Sequence, residues 1–168
     1  MESWILGAVV VAGAVTDWRS RRIPNWLTLP AMVVGLVLNA LGERFAPALL
    51  GMVAALAIYF SFYAIGFRGA GDGKLMGAVG AFLGWPQVAT VIVLVALLGG
   101  VAAVVVAWRC GALGRVLHST AALVLDMISF RWKAVRERSD YRAPGALRMP
   151  HGPVIAAGTL AFLLFAPR

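Results

Sequence analysis

Charge is scarce in this chain. Of its 168 residues only 13% are Asp, Glu, Lys or Arg, against about 25% in ordinary soluble domains. Acid is scarcer than base, with seven Asp and Glu against fifteen Lys and Arg, a net charge of +8. There is one cysteine, Cys110, and there are two histidines. A single cysteine excludes an internal disulfide and any Cys-x-x-Cys metal site. So few His, Cys and acidic residues argue against a metal-dependent hydrolase, and neither metal nor cofactor is expected. The basic balance could suit nucleic acid, but no polar domain exists to carry such a site. Basic loops beside a membrane fit better.

What the chain has instead is apolar length, with 61% of its residues hydrophobic. A helix needs about 20 apolar residues to cross a bilayer core. Segments near this length fall at about 3–17, 24–42, 46–67, 87–108 and 151–167, with a turn at Gly42 to Pro47. Leu75 to Trp108 carries no charge over 34 residues, too long for one span at ~1.5 Å per residue. Gly84-Trp85-Pro86-Gln87 supplies the break, leaving a short fourth helix at about 73–85. The expectation is a single all-α membrane domain over 1–168 with six transmembrane helices. No soluble domain is left over.

Positive residues cluster on cytoplasmic loops. With six spans, the loops 18–23, 68–74 and 109–150 share one side and hold 13 of the 15 basic residues; only Arg44 and Arg168 fall on the other. Both termini are therefore expected outside. Residues 114–138 read differently: Val116, Leu117, Leu123, Val124, Met127, Ile128 and Val135 recur at helical spacing, with Arg115, His118, Ser119, Asp126, Ser129, Lys133 and Arg136 on the other face. This predicts one amphipathic helix on the cytoplasmic surface. Ala12-Gly13-Ala14 imitates a signal-peptide cleavage site, but Met1-Glu2-Ser3 lacks the basic start of one, so cleavage is not expected. His118 and His151 read as isolated interface residues. The six tryptophans fall near predicted helix boundaries, as belt residues do.

Two acidic residues stand against this background. Asp17 ends the first apolar run and opens Asp17-Trp18-Arg19-Ser20-Arg21-Arg22-Ile23-Pro24-Asn25. Asp72 lies in Gly69-Ala70-Gly71-Asp72-Gly73-Lys74. The ordinary reading of each alone is a cap or solvated ion pair, and of the glycines a flexible turn. Together they say more, because the charge pattern puts both on one side without having used them. Two close carboxyls share a proton, one activating water while the other protonates a carbonyl oxygen, which is the chemistry of an aspartic protease. The short fourth helix puts Asp72 in a non-helical entry at the membrane edge. There Gly69, Gly71 and Gly73 would take φ > 0 or admit a substrate backbone closely. Lys74 would tune Asp72 or meet a lipid phosphate, a structural or lipid role being favoured, and Pro24 and Asn25 fit a tight entry to the second helix.

Asp17-x-Arg19 with Ile23-Pro24-Asn25, followed by Gly69-x-Gly71-Asp72-x-Lys74-Leu75, resembles the prepilin peptidases, which are GxGD intramembrane aspartic proteases. Met149-Pro150-His151-Gly152-Pro153 looks like that family's Pro-x-Gly-Pro start to its last helix. The resemblance implies Asp17 and Asp72 as the catalytic pair. It also implies prepilin or pseudopilin substrates with a short basic leader, cut after a glycine at the cytoplasmic face of the bacterial inner membrane. The chain looks like the short form found with tight-adherence (Flp-type) pili. Longer relatives carry a cytoplasmic region with paired Cys-x-x-Cys motifs and methylate the new terminus. Cleavage without methylation is expected here. Two rival readings are an ion- or proton-coupled transporter and a non-catalytic membrane subunit of a pilus or secretion machine. The transporter would explain the two aspartates but not the Asp17-to-Asn25 string. The sequence sets no oligomeric state.

Overall fold

A computed structural model describes residues 2–65, 69–138 and 150–165. These form eight helices: α1 (Glu2–Ser20), α2 (Asn25–Leu41), α3 (Phe45–Ile65), α4 (Ala70–Leu83), α5 (Gln87–Arg109), α6 (Leu113–Ile128), α7 (Trp132–Arg138) and α8 (Gly152–Phe165). No strand occurs among the described residues.

Local chemistry sets the ends. Pro24 caps α2 in an extended conformation, φ −74 and ψ 144, and its carbonyl accepts the N–H groups of Leu27 and Thr28. The expected break after α4 falls at Gly84, whose φ of +76 suits a residue without a side chain. A Cβ there would also press on the Pro47 and Ala48 backbone at 3.2–3.3 Å. Trp85 N–H donates to the Pro47 carbonyl at 2.9 Å, fastening this turn to the start of α3.

Packing pairs give the helix directions. On α4, Lys74 meets Asn25 of α2, Gly77 meets Met32, and Ala81 meets Gly35, so α2 and α4 run parallel. Against α3 the order reverses: Gly73 meets Tyr59, Gly77 meets Leu56 and Gly80 meets Gly51. α8 is antiparallel to α1, pairing Leu160 with Gly7 and Gly152 with Asp17, and also to α5, pairing Gly158 with Val95 and His151 with Gly99. α1, α3 and α5 thus run one way, and α2, α4 and α8 the other. The end at which α1, α3 and α5 finish and α2, α4 and α8 begin is here called the near end.

α4 is the centre. Gly73 and every residue from Leu75 to Phe82 are buried, in contact with α1, α2, α3, α5 and α8. Glycines let backbones approach: a Cβ on Gly80 would overlap the Gly51 carbonyl. The core continues through Leu6, Val10, Val88, Val91, Val95 and Ile155.

The exterior is apolar. Val33, Leu50, Val53, Val93, Leu97 and Val101 all point outward, an arrangement that makes sense in lipid and not in water. Two helices are long and apolar enough to cross a membrane, Phe45–Ala64 and Gln87–Arg109. α2 and α8 are apolar but shorter. Exposed Trp18, Trp26 and Trp108 mark the near end, and Trp4 and Trp85 the far end, two levels such as membrane interfaces favour.

Three sequence expectations need correction. The amphipathic stretch 114–138 is two helices, because Phe130 takes φ 53 and Arg131 folds back to donate its N–H to the Asp126 carbonyl at 2.9 Å. α4 begins at Ala70, two residues before Asp72, so Asp72 stands in a helical first turn and not in an irregular entry. None of Gly69, Gly71 and Gly73 has a positive φ. The readings that placed Arg68, Arg142, Arg148 and Arg168 in loops or at the terminus fall outside the described residues.

Candidate functional site

Asp17 lies one turn inside the end of α1, on the stripe of Leu6, Val10 and Gly13 that faces the core. It is 7% exposed. Its Oδ2 accepts the backbone N–H of Gly152 at 2.8 Å, in a buried bond. That N–H is one of the donors a helix start leaves without an intrahelical partner, so the first residue of α8 is satisfied by a carboxylate on α1. The fit excludes a side chain. A Cβ on Gly152 would lie 2.7 Å from the Cβ of Asp17, 3.1 Å from its Oδ2 and 3.2 Å from the Gly13 carbonyl oxygen.

Asp72 is brought to the same end through two contacts. Gly13, one turn before Asp17, packs on the side chain of Leu75, one turn after Asp72; a Cβ on Gly13 would stand 3.0 Å from Leu75 Cδ2. The link after α1 then folds onto α4. Ile23 is buried, and an added Cβ on Gly71 would lie 3.2 Å from Ile23 Cβ. Antiparallel α1 and α4 therefore carry the two aspartates one turn beyond their common contact, both toward the near end.

The other expected residues take definite positions. Asn25 Oδ1 accepts a hydrogen bond from Lys74 Nζ at 2.8 Å, so the second half of the Asp17-to-Asn25 string clasps the first turn of α4. Pro24 holds the chain between Ile23 and that clasp. Gly73 is needed for Tyr59, whose Cβ would stand 3.2 Å from an added Cβ. Gly69 faces open space, with nothing within 4 Å of an added Cβ, so the site gives it no packing role. His151 is not an ordinary interface residue, because its Nε2 is buried and its ring lies over Gly99 of α5.

Three further residues belong to this architecture and were not singled out from sequence. Gly152 was noted only as part of a resemblance. Asn39, 2% exposed, donates from Nδ2 to the carbonyls of Gly35, Ala81 and Phe82, each at 3.0 Å. Two of those carbonyls belong to the last turn of α4, where helix geometry leaves acceptors open. Thr28 is fully buried one turn further in than Asn25, and its Oγ1 has no protein hydrogen-bond partner. Among the described residues no group of three His, Cys, Asp or Glu could hold a metal. An open groove of about 360 Å³ lies on the α1–α8 seam, lined by Ala14, Val15, Trp18, Arg19 and Pro153.

A helical bundle with an apolar exterior, carrying a buried and a half-buried aspartate at one end, is a membrane protein with a polar site at its edge. Comparison with known proteins gives the family. Residues 4–104 match the type IV leader peptidase family, and the chain belongs to it. The chain is 28% identical over 170 residues to a prepilin leader peptidase/N-methyltransferase of Burkholderia pseudomallei (strain 1026b), covering 95% of this chain and 45% of that protein. Proteins of the same name from Dickeya chrysanthemi and Escherichia coli (strain K12) are 38% identical over 110 residues and 35% identical over 101. These cover 56% and 55% of this chain, and 38% and 44% of those proteins. The chain thus spans less than half the length of these relatives. No solved structure matches it significantly.

Proposed function

We propose that this protein is an aspartic endopeptidase that removes the leader of prepilins or pseudopilins, with Asp17 and Asp72 as its catalytic residues. The observation that carries this reading is that separate helices bring two aspartates to one end of an apolar bundle. One of them is held by a backbone N–H and the other by a first turn clasped from α2. The family membership supplies the reaction class, and the relatives' names supply the substrate class.

In this mechanism one aspartate acts as general base and the other as general acid. One takes a proton from water as the water oxygen attacks the scissile carbonyl carbon. The other gives its proton to the carbonyl oxygen. Collapse of the tetrahedral intermediate breaks the C–N bond, and the amine leaves with a proton returned from the pair. Gly152 fixes the rotamer of Asp17, and the Lys74–Asn25 clasp fixes the start of α4. Lys74 is thus a positioning residue.

We place this end at the cytoplasmic face of the inner membrane, with six crossings and both termini outside, a reading supported by the positive charges on 18–23, 68–74 and 109–150. The product is a leader and a pilin with a free amino terminus. Methylation is not expected, since the single Cys110 cannot build paired Cys-x-x-Cys motifs.

The test is leader removal from a tagged prepilin by purified protein. Asp17→Asn and Asp72→Asn should each lower the rate by about 10²–10⁴-fold, the range for loss of a general acid or base, while still inserting. Product mass in the presence of a methyl donor should show no added methyl group. Near wild-type cleavage by either variant would end the assignment of the two aspartates, and no cleavage by the unaltered protein would favour the reading as a non-catalytic subunit of a pilus machine.

A further inference from the structure

The α6–α7 hairpin is turned inside out for a water-facing structure. α6 directs Leu117, Val124, Leu125 and Ile128 outward, with Leu125 64% and Ile128 69% exposed. Its only acidic residue, Asp126, is buried at 5%. There Asp126 pairs with Arg131 at 3.4 Å, while the arginine side chain stays 69% exposed. The turn extends the apolar face with exposed Phe130 and Trp132, whose rings meet edge to face with centroids 6.2 Å apart. α7 does the reverse at its packed side, burying Val135 completely, and it contacts α3. Around this face the charge is one-sided. Residues 109–138 contain six basic residues and two acidic ones, and one of the acids is the buried Asp126. Arg109, Arg131 and Lys133 are exposed.

The geometry points to the α6–α7 hairpin as a docking surface for anionic lipid. In this arrangement Leu117, Val124, Leu125, Ile128, Phe130 and Trp132 enter the acyl boundary of the leaflet at the near end, and Arg131 and Lys133 meet lipid phosphates. Three features select lipid as the occupant. The outward side chains form a continuous apolar strip bordered by aromatic rings, which suits an interface with both an apolar and a wet side. The exposed charge is mostly positive, with Arg109, Arg131 and Lys133 against Glu137, and so complementary to an anionic leaflet. The one acid on α6 is turned inward and paired with Arg131. This inference does not rest on the peptidase reading.

The experiment uses the full chain with Cys110→Ser and a single new cysteine at Ile128→Cys, Leu125→Cys or Ser119→Cys, labelled with bimane and reconstituted into phosphatidylcholine vesicles. A minor fraction of the lipid is brominated in its acyl chains, as phosphatidylcholine in one set and phosphatidylglycerol in the other. The probes at positions 125 and 128 should be quenched by brominated lipid and shielded from aqueous iodide. The probe at 119 should show the opposite. Brominated phosphatidylglycerol should quench position 128 several-fold more than brominated phosphatidylcholine. Lys133→Gln should lower that preference by about five-fold, the effect of one basic residue near an anionic surface. Iodide reaching 125 and 128 as readily as 119 overturns the proposal and leaves a solvent- or protein-facing surface. Equal quenching by the two lipids also overturns it, by removing the anionic selectivity.

Discussion

Gly152 has no side chain, yet it is the residue that fixes Asp17. Its N–H reaches Oδ2 at 2.8 Å, and no room exists for a methyl group between them. Gly152→Ala should therefore move Asp17 and lower kcat by ~100-fold, the cost of a small misplacement of a catalytic group, with KM little changed. Gly7→Ala is the control on the same seam, since its Cβ would meet Leu160 at an ordinary 3.7 Å. Equal loss in both variants would show a general packing defect and not a role for Gly152. Gly71→Val should impair cleavage more than Ala70→Val, measured as initial rates at equal amounts of inserted protein. The cause lies in Ile23, which already stands 3.2 Å from the place of a Cβ on Gly71. A branched side chain would push the Ile23–Asn25 link off α4. If the two variants cleave equally, Ile23 does not set the position of Asp72.

At the scale of elements, α4 is stabilised from outside itself. Its last turn ends on Asn39 of α2, its first on the Lys74–Asn25 bond. Asn39→Leu removes three hydrogen bonds and leaves buried carbonyls unsatisfied, which costs about 1–3 kcal/mol for each group left bare. A clear drop in thermal midpoint in detergent is the expected result, and an unchanged midpoint would deny Asn39 this role. The sequence announced helices wherever apolar runs and breakers acted locally. Gly84-Trp85-Pro86 ended α4 as its composition required, and the two aspartate strings stood out because charge is rare around them. Asn39 gave no such sign, because a side-chain bond to a carbonyl 42 residues away leaves no period in the chain. The same holds for Gly152 and Asp17, separated by 135 residues. The split of α6 from α7 was hidden because Asp126 and Arg131 read as ordinary surface charges, while in the fold they close a turn.

For the whole molecule, alternating helix directions put α1, α3 and α5 against α2, α4 and α8, and the positive charges supply a sense for the array. Single cysteines near residues 3 and 136 in a Cys110→Ser background should divide accordingly. In intact cells an impermeant thiol reagent should label the first and spare the second. Labelling at 136 from outside would invert the orientation and move the site to the other face of the membrane.

The burial of α4 has a consequence for how the protein is made. A helix of 14 residues is about 21 Å long, short of the ~30 Å of a bilayer core. It also carries four glycines, Gly71, Gly73, Gly77 and Gly80. Released alone from the translocation machinery, such a segment partitions poorly into lipid. It is expected to enter together with α3, through the turn side it shares with Pro47 and Ala48, and to settle against α2, made earlier, which holds both its ends. Asp17 gains its Gly152 N–H only when α8 is in place. On the proposed mechanism a half-inserted chain is accordingly inert, and cleavage awaits the finished bundle.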